Sequence, residues 1–304
     1  MSRPGRRGLL PPGEMFPANE PAYRVSFPRL GSGIRIRAIE RGDPASPPVL
    51  HVHGWGCTAY TFRYAMPAVA GAGFRAMAVD LKGHGLSDKP QDSAGYTIDG
   101  MVEHLREILD ALGLDQPVLV GHSLGGTLVY HFASRYPERV ASLGLISPAG
   151  LTGVPRMRLY HLLTPRFLTP VIRRIRSRTI VRAALKRVYG KRGHFTERDV
   201  EEYVAPVQFP DYGSAIRELL HSYDWKAAKH RQLRVLDLPA AGIWGSRDHM
   251  MPSNGMEIYR GLLPQIVLTR VEDAGHVVAE ETPEEVNEAL LALLRTTTME
   301  SSAR

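Results

Sequence analysis

The sequence predicts an α/β fold: a mostly parallel, doubly wound sheet of about eight strands, with a helical segment inserted after the sixth. Three observations carry that prediction. Short apolar runs alternate with segments whose apolar residues recur at spacings of three and four, from residue 48 to 146 and again from 238 onward. Such alternation marks strands joined by crossover helices. Between those blocks, residues 151–234 lack a clear strand pattern and are broken by Pro155, Pro165, Pro170, Pro206 and Pro210, which reads as an inserted helical cap. Within the first block, Gly121-His122-Ser123-Leu124-Gly125 joins an apolar run to a helical one.

Taken in order, residues 23–27 and 34–39 read as a hairpin around Gly31-Ser32-Gly33. Ile34, Ile36 and Ala38 alternate with Arg35, Arg37 and Ile39, so the hairpin is expected to be half exposed. Pro47-Pro48 breaks the chain before a short buried strand at 49–52, which ends in His53-Gly54-Trp55-Gly56. A helix is expected at 60–70, a strand at 74–79, then a glycine-rich loop from Asp80 to Ser87. Ile98, Val102, Leu105, Ile108, Leu109 and Leu112 sit at helical spacing, with Gly113 as the C-cap. A strand at 117–120 enters the Gly-x-Ser-x-Gly turn, a helix at 124–136 leaves it, and 140–146 is a further buried strand. After the insertion come a strand at 238–244, a helix at 253–263, a strand at 265–271 and a last helix to 294. Thr282 is its expected N-cap, with Pro283 at the first helical position and Glu285 completing a capping box. The expected organisation is an arm at 1–22, a core at 23–150 and 236–304, and a cap at 151–235.

With 304 residues, 43% of them hydrophobic and 23% charged, the chain has an ordinary globular composition. No apolar run approaches the roughly 20 residues of a membrane span. Arg6-Arg7 is followed by Leu9-Leu10 and then Pro11-Pro12, which leaves no apolar signal core. The single cysteine, Cys57, excludes an internal disulfide and reads as a loop thiol. These features lead us to expect a loosely packed or disordered arm and a cytoplasmic protein. The net charge is +7, yet residues 151–196 contain no Asp or Glu while Lys and Arg recur throughout. The basic balance therefore belongs to one segment and does not imply nucleic-acid binding.

The chemistry centres on Ser123. A bare Gly-x-Ser-x-Gly arises by chance in on the order of one chain in ten of this length, so its context decides. A strand before and a helix after allow a tight, strained turn that lifts the serine hydroxyl out of the sheet. Glycines two residues either side avoid collision with that turn. A serine hydroxyl needs a base, and the base an orienting acid. In this strand–turn–helix setting the expected chain order is Ser, acid, His. Trp244-Gly245-Ser246-Arg247-Asp248 puts a carboxylate just past a strand, and Ala274-Gly275-His276 an imidazole just past the last one. Both lie at the carboxyl edge of the sheet, where open α/β sheets place their sites. Rival acids are poorer. Asp224 and Asp237 fall in or near the cap, and Asp273 is too close in sequence to His276. His249 adjoins Asp248, so the two side chains point apart. An oxyanion would be held by the N–H of Leu124 and, from the loop after the third strand, by that of Trp55.

These motifs resemble the α/β-hydrolase fold family, of the kind with a helical cap after the sixth strand. The resemblance runs from about Tyr23 to Leu294 and rests on His53-Gly54, the Asp80–Ser87 loop, the turn at Ser123, Gly245 to Asp248, and Gly275-His276 followed by Glu280 and Pro283. It implies a catalytic triad of Ser123, Asp248 and His276. The Asp80 loop, structural in the family, carries Lys82 where arginine is usual. Epoxide hydrolases and haloalkane dehalogenases of this fold use Asp where this chain has Ser123. Carbon–carbon hydrolases keep the serine but often follow the histidine with Trp, and here Val277 follows. Cofactor-free perhydrolases share the triad.

The reading that results is a serine hydrolase of a carboxylic ester or related acyl bond in a small to medium apolar substrate. Carbon–carbon or lactone hydrolysis on the same triad is an alternative, and a non-catalytic binding protein is another. No cofactor is expected. The 12 histidines include no His-x-x-x-His pair, so no metal is expected either. No oligomeric state follows from the sequence. In the cap, Val171, Ile175, Val181, Leu185 and Val188 recur among Arg173, Arg174, Arg176, Arg182, Lys186 and Arg187. That pattern fits a helix with its apolar face on the core, the favoured arrangement, peripheral contact with an anionic membrane surface, or arginines that bind an acidic substrate group.

Overall fold

The computed structural model describes residues 9–149, 151, 153–154, 157–165, 167, 178–227, 233–251 and 255–302. Its strands are β1 (Tyr23–Ser26), β2 (Arg37–Arg41), β3 (Pro48–Val52), β4 (Arg75–Asp80), β5 (Val118–His122), β6 (Ser142–Ile146), β7 (Ala240–Gly245) and β8 (Ile266–Val271). They form one sheet in the order β1-β2-β4-β3-β5-β6-β7-β8. β1 and β2 run antiparallel to their neighbours and all other pairs are parallel. The central strands are covered on both faces, which is why they read as continuous apolar runs. Val49, Leu50, Val52 and Leu119 are fully buried.

One face of the sheet is covered by α1 (Ala65–Gly71) and α10 (Pro283–Ser302), which bring Met66, Val69, Leu290 and Leu294 against Val49, Val120 and Ile243. The other carries α2 (Ile98–Ala111), α3 (Leu124–Arg135) and α8 (Gly255–Leu262), with Leu105, Leu128 and Tyr259 in its core. Between β6 and β7 the described elements are helical: α4 (Met157–Leu163), α5 (Arg178–Val188), α6 (Glu197–Val204) and α7 (Tyr212–Ser222). Much of the basic amphipathic stretch, residues 168–177, lies outside the described residues. In the described part, Leu185 and Val181 of α5 pack on Val200 and Val204 of α6, while Arg178 and Arg182 pair with Glu201 and Glu197. Among the described residues no helix is long and apolar enough to cross a membrane.

Three local expectations are overturned. The arm is not loose where it is described. Met15 and Phe16 are buried, the Phe16 N–H donates to Glu202 Oε1 on α6 (2.7 Å), and the Arg198 guanidinium reaches the Glu14 carbonyl (2.7 Å). Its prolines restrict the backbone, and its contacts with α6 hold it in place. The expected capping box at Thr282 does not form. The short helix α9 (Val278–Glu281) is separated from α10 by Thr282 alone, and α10 begins at Pro283 as expected. The Thr282 N–H and hydroxyl both go back to the Val278 carbonyl (2.9 and 3.1 Å), and Glu285 turns to Arg192 (2.5 Å). Finally, the first hairpin is not half exposed at Arg37.

Arg37 is only 2% exposed and pairs with the fully buried Asp80 at the end of β4 (2.7 Å). Asp80 also accepts the Ala59 and Leu86 N–H groups (2.9 and 2.8 Å). Burial alone would raise its pKa, but Arg37 and His53 outweigh that and hold it at about 2. A folded-state value below the unfolded one means the carboxylate stabilises the fold above roughly pH 4. That contribution is lost as pH falls through about 2. Asp80→Asn strands a buried guanidinium, so we expect a loss of about 3–5 kcal/mol, read as a lowered urea midpoint at pH 7. A midpoint within experimental error of the wild type would refute this account of the loop.

Candidate active site

Ser123 sits between the last residue of β5 and the first of α3, with φ 53° and ψ −118°. A non-glycine residue there stores roughly 1–3 kcal/mol of backbone strain, and its surroundings hold it in place. Its N–H donates to the Ile146 carbonyl (2.9 Å), and its carbonyl accepts from Ala149 and Thr127 (3.0 and 3.2 Å). The turn admits no side chain at its flanks: a Cβ on Gly121 would lie 2.3 Å from the Gly125 carbonyl oxygen, and one on Gly125 2.0 Å from that of Val52. The loop after β3 closes against the serine as well, since a Cβ on Gly54 would lie 2.9 Å from Ser123 Cβ.

Three predicted residues meet here from distant parts of the chain. His276 Nε2 is 3.0 Å from Ser123 Oγ, and its Nδ1 is 2.8 Å from Asp248 Oδ2. Asp248 Oδ1 takes the Met250 and Met251 N–H groups (2.8 and 3.0 Å). Burial raises the Asp248 pKa, but His276 and these donors more than offset it and hold it below the ordinary carboxylate value. A carboxylate can only accept, so Nδ1 carries the proton and Nε2 is left to accept from the serine hydroxyl. Asp273 takes no part. Its side chain is half exposed, pairs with Arg247 (2.5 Å), and reaches no ring nitrogen of His276.

The Leu124 N–H is the first of α3, and neither it nor the Trp55 N–H meets an acceptor among the described residues. The Trp55 indole donates to the Ile216 carbonyl on α7 (2.9 Å), so this loop is tied to the cap. Burial pushes the Cys57 thiol up to about 12, which keeps it a neutral thiol. Among the described residues no group of His, Cys, Asp or Glu side chains could hold a metal. Two cavities of about 500 and 470 Å³ open beside the arm, and neither is lined by Ser123, Asp248 or His276.

His122 is a residue the sequence reasoning missed. It is buried, and its Nε2 bonds the His276 backbone carbonyl (3.0 Å). Burial and the neighbouring His276 push it down to about 3, so it stays a neutral donor. The available signal was a polar ring at the end of a fully apolar strand, which must find a partner.

The alpha/beta hydrolase fold family matches residues 47–283. The chain is 26% identical over 279 residues to epoxide hydrolase 1 of Caenorhabditis elegans, covering 86% of this chain and 68% of that protein. It is 29% identical over 265 residues to the dihydrolipoyllysine-residue acetyltransferase component of the acetoin cleaving system of Pseudomonas putida, covering 86% and 67%. The chain spans 57 to 68% of the length of the first curated relatives it matches. A solved thermophilic esterase from Thermogutta terrifontis (malate bound) shares the fold, with a TM-score of 0.73 at 24% identity over 90% of this chain and 99% of that one.

Proposed function

This chain belongs to the α/β-hydrolase fold family, and from that premise we propose that it is a serine hydrolase. Its substrate is a carboxylic ester, or a related acyl bond, of small to medium apolar type. The observation that carries the reading is the continuous hydrogen-bonded line from Asp248 through His276 to Ser123 Oγ. Ser123 Oγ attacks the carbonyl carbon as His276 Nε2 takes its proton. Asp248, held ionised, stabilises the imidazolium that forms. The Leu124 and Trp55 N–H groups receive the oxyanion. Collapse expels the alcohol, which takes its proton from His276 and leaves an acyl-enzyme. His276 then deprotonates water for attack on that ester, the bond from Ser123 Oγ to the acyl carbon breaks as Oγ takes the proton back from His276, and the acid departs. Every step moves protons and acyl groups only, so none calls for a cofactor.

The C. elegans relative is named an epoxide hydrolase, and that reading meets a chemical obstacle here. A serine alkoxide that opened an epoxide would become an alkyl ether. An ether has no carbonyl for water to attack, so the enzyme would be trapped after one event. An acyl substrate avoids this because the covalent intermediate is itself an ester.

The test is a panel of acyl esters of graded chain length, lactones, a vinylogous diketone and an epoxide, offered to the purified full chain, with a fluorophosphonate probe alongside. We expect labelling at Ser123 and fastest turnover on an ester. A folded protein that takes no label and turns over no acyl substrate would favour a binding scaffold. Epoxide turnover that survives Ser123→Ala would overturn the mechanism.

A further inference from the structure

The loop that carries His276 is held by the cap as well as by the core. The His276 N–H donates to the Val188 carbonyl at the C-terminal end of α5 (2.7 Å), and the Lys191 N–H donates to the Asp273 carbonyl (2.7 Å). Beside them lies Glu281, the last residue of α9, a carboxylate only 7% exposed. Its Oε2 accepts the N–H of Gly275, the residue before His276, and that of Gly190 in the cap (both 2.8 Å). Its Oε1 accepts the cap N–H groups of Arg192 and Gly193 (2.9 and 3.2 Å). Four backbone donors from two separate stretches of chain thus converge on one side chain. Only a carboxylate offers enough acceptor sites with no donor of its own. The fit is close: a Cβ on Gly275 would lie 2.3 Å from the Val188 carbonyl oxygen, and one on Gly190 2.3 Å from that of Asp273.

We propose that Glu281 is a positioning residue for His276, and that the cap segment 188–193 is a built-in part of the catalytic site. The proposal rests on the reading of His276 as the base for Ser123. The His276 backbone has two anchors: its N–H is held by the cap and its carbonyl by His122 on the core. Lifting the cap segment removes the first anchor and the Lys191 N–H bond to the Asp273 carbonyl at once, and leaves Glu281 with only its Gly275 donor. The imidazole is then free to drift from Ser123, and a displacement of about 1 Å costs roughly 100-fold in rate. Seating the cap and aligning the base are one event in this chain. A cap that only roofed the substrate would govern binding instead.

That distinction sets the test. Glu281→Gln puts an amide N–H₂ against backbone donors, and Gly190→Ala pushes on the His276 loop from the cap side without altering Glu281 or the triad. In both we expect kcat on the best ester to fall by about 30- to 100-fold, with KM changed by less than about threefold. The fluorophosphonate labelling rate should fall by the same factor. The downfield proton resonance of the His276–Asp248 hydrogen bond should shift or broaden in both. Arg182→Gln, which removes an exposed cap ion pair with Glu197, should leave all four readouts unchanged. If Glu281→Gln does not fold, Gly190→Ala decides. Variants that fold and match the wild type in kcat, labelling and resonance would overturn the proposal while leaving the hydrolase reading intact. A wild type that neither labels nor turns over acyl substrates would refute the hydrolase reading. The resonance shift would then still report on positioning.

Discussion

Ser123→Ala is expected to lower acyl-ester turnover by about 10⁵- to 10⁶-fold, because triad members act as a unit and losing the nucleophile removes the covalent route entirely. What remains is the oxyanion site and substrate binding, which alone sustain only a small residual rate. The variant should fold normally. Among the described residues the Ser123 hydroxyl bonds only His276, and the backbone bonds to Ile146, Ala149 and Thr127 do not depend on the hydroxyl. The loss should therefore appear in kcat, with the urea midpoint unmoved and fluorophosphonate labelling abolished. Ester hydrolysis within tenfold of the wild type would show that some other group performs the attack.

The second large effect is Asp248→Asn, for which we expect a fall of up to about 10⁴-fold. The local geometry explains why the asparagine cannot simply rotate to rescue the histidine. The Met250 and Met251 N–H groups both point at Oδ1, so the amide carbonyl is kept there and the N–H₂ faces His276 Nδ1. That donor forces the ring proton onto Nε2, where it opposes the serine hydroxyl instead of accepting its proton. His276→Ala should match the serine variant in severity. Asp273→Asn should change the rate by less than about threefold, since its carboxylate meets Arg247 at the surface. A folded Asp273→Asn protein that loses more activity than Asp248→Asn would reverse the assignment. Because Asp248 is held below the ordinary carboxylate value, its stabilising contribution is complete above that value. It fades only as pH drops through the lowered one.

Several parts of this architecture are readable from local pattern alone. The turn at Ser123 is five consecutive residues whose requirements are set by its own backbone, so Gly121 and Gly125 announce it. Asp248 and His276 could be singled out because each follows a strand end in the order the turn demands, β7 buried throughout and β8 at the sheet edge. The alternation of strand and helix predicts the parallel sheet, because a fully covered strand has to be apolar throughout.

The tertiary structure decided what depends on a partner far along the chain. Period-two alternation turns Arg37 toward solvent, yet Asp80 accepts it into the core. The arm reads as disordered by composition, yet Glu202 and Tyr60 give Phe16 a place to dock. Glu280 and Glu281 are adjacent acids that no local rule separates. One meets Arg63 and Tyr203, and the other gathers four backbone donors around the His276 loop. The physical reason is common to all three. Apolar residues are driven inward by water whatever their neighbours, so their pattern is legible in sequence. A buried charge or polar group is tolerated only where specific partners satisfy it, and those partners are named by the fold.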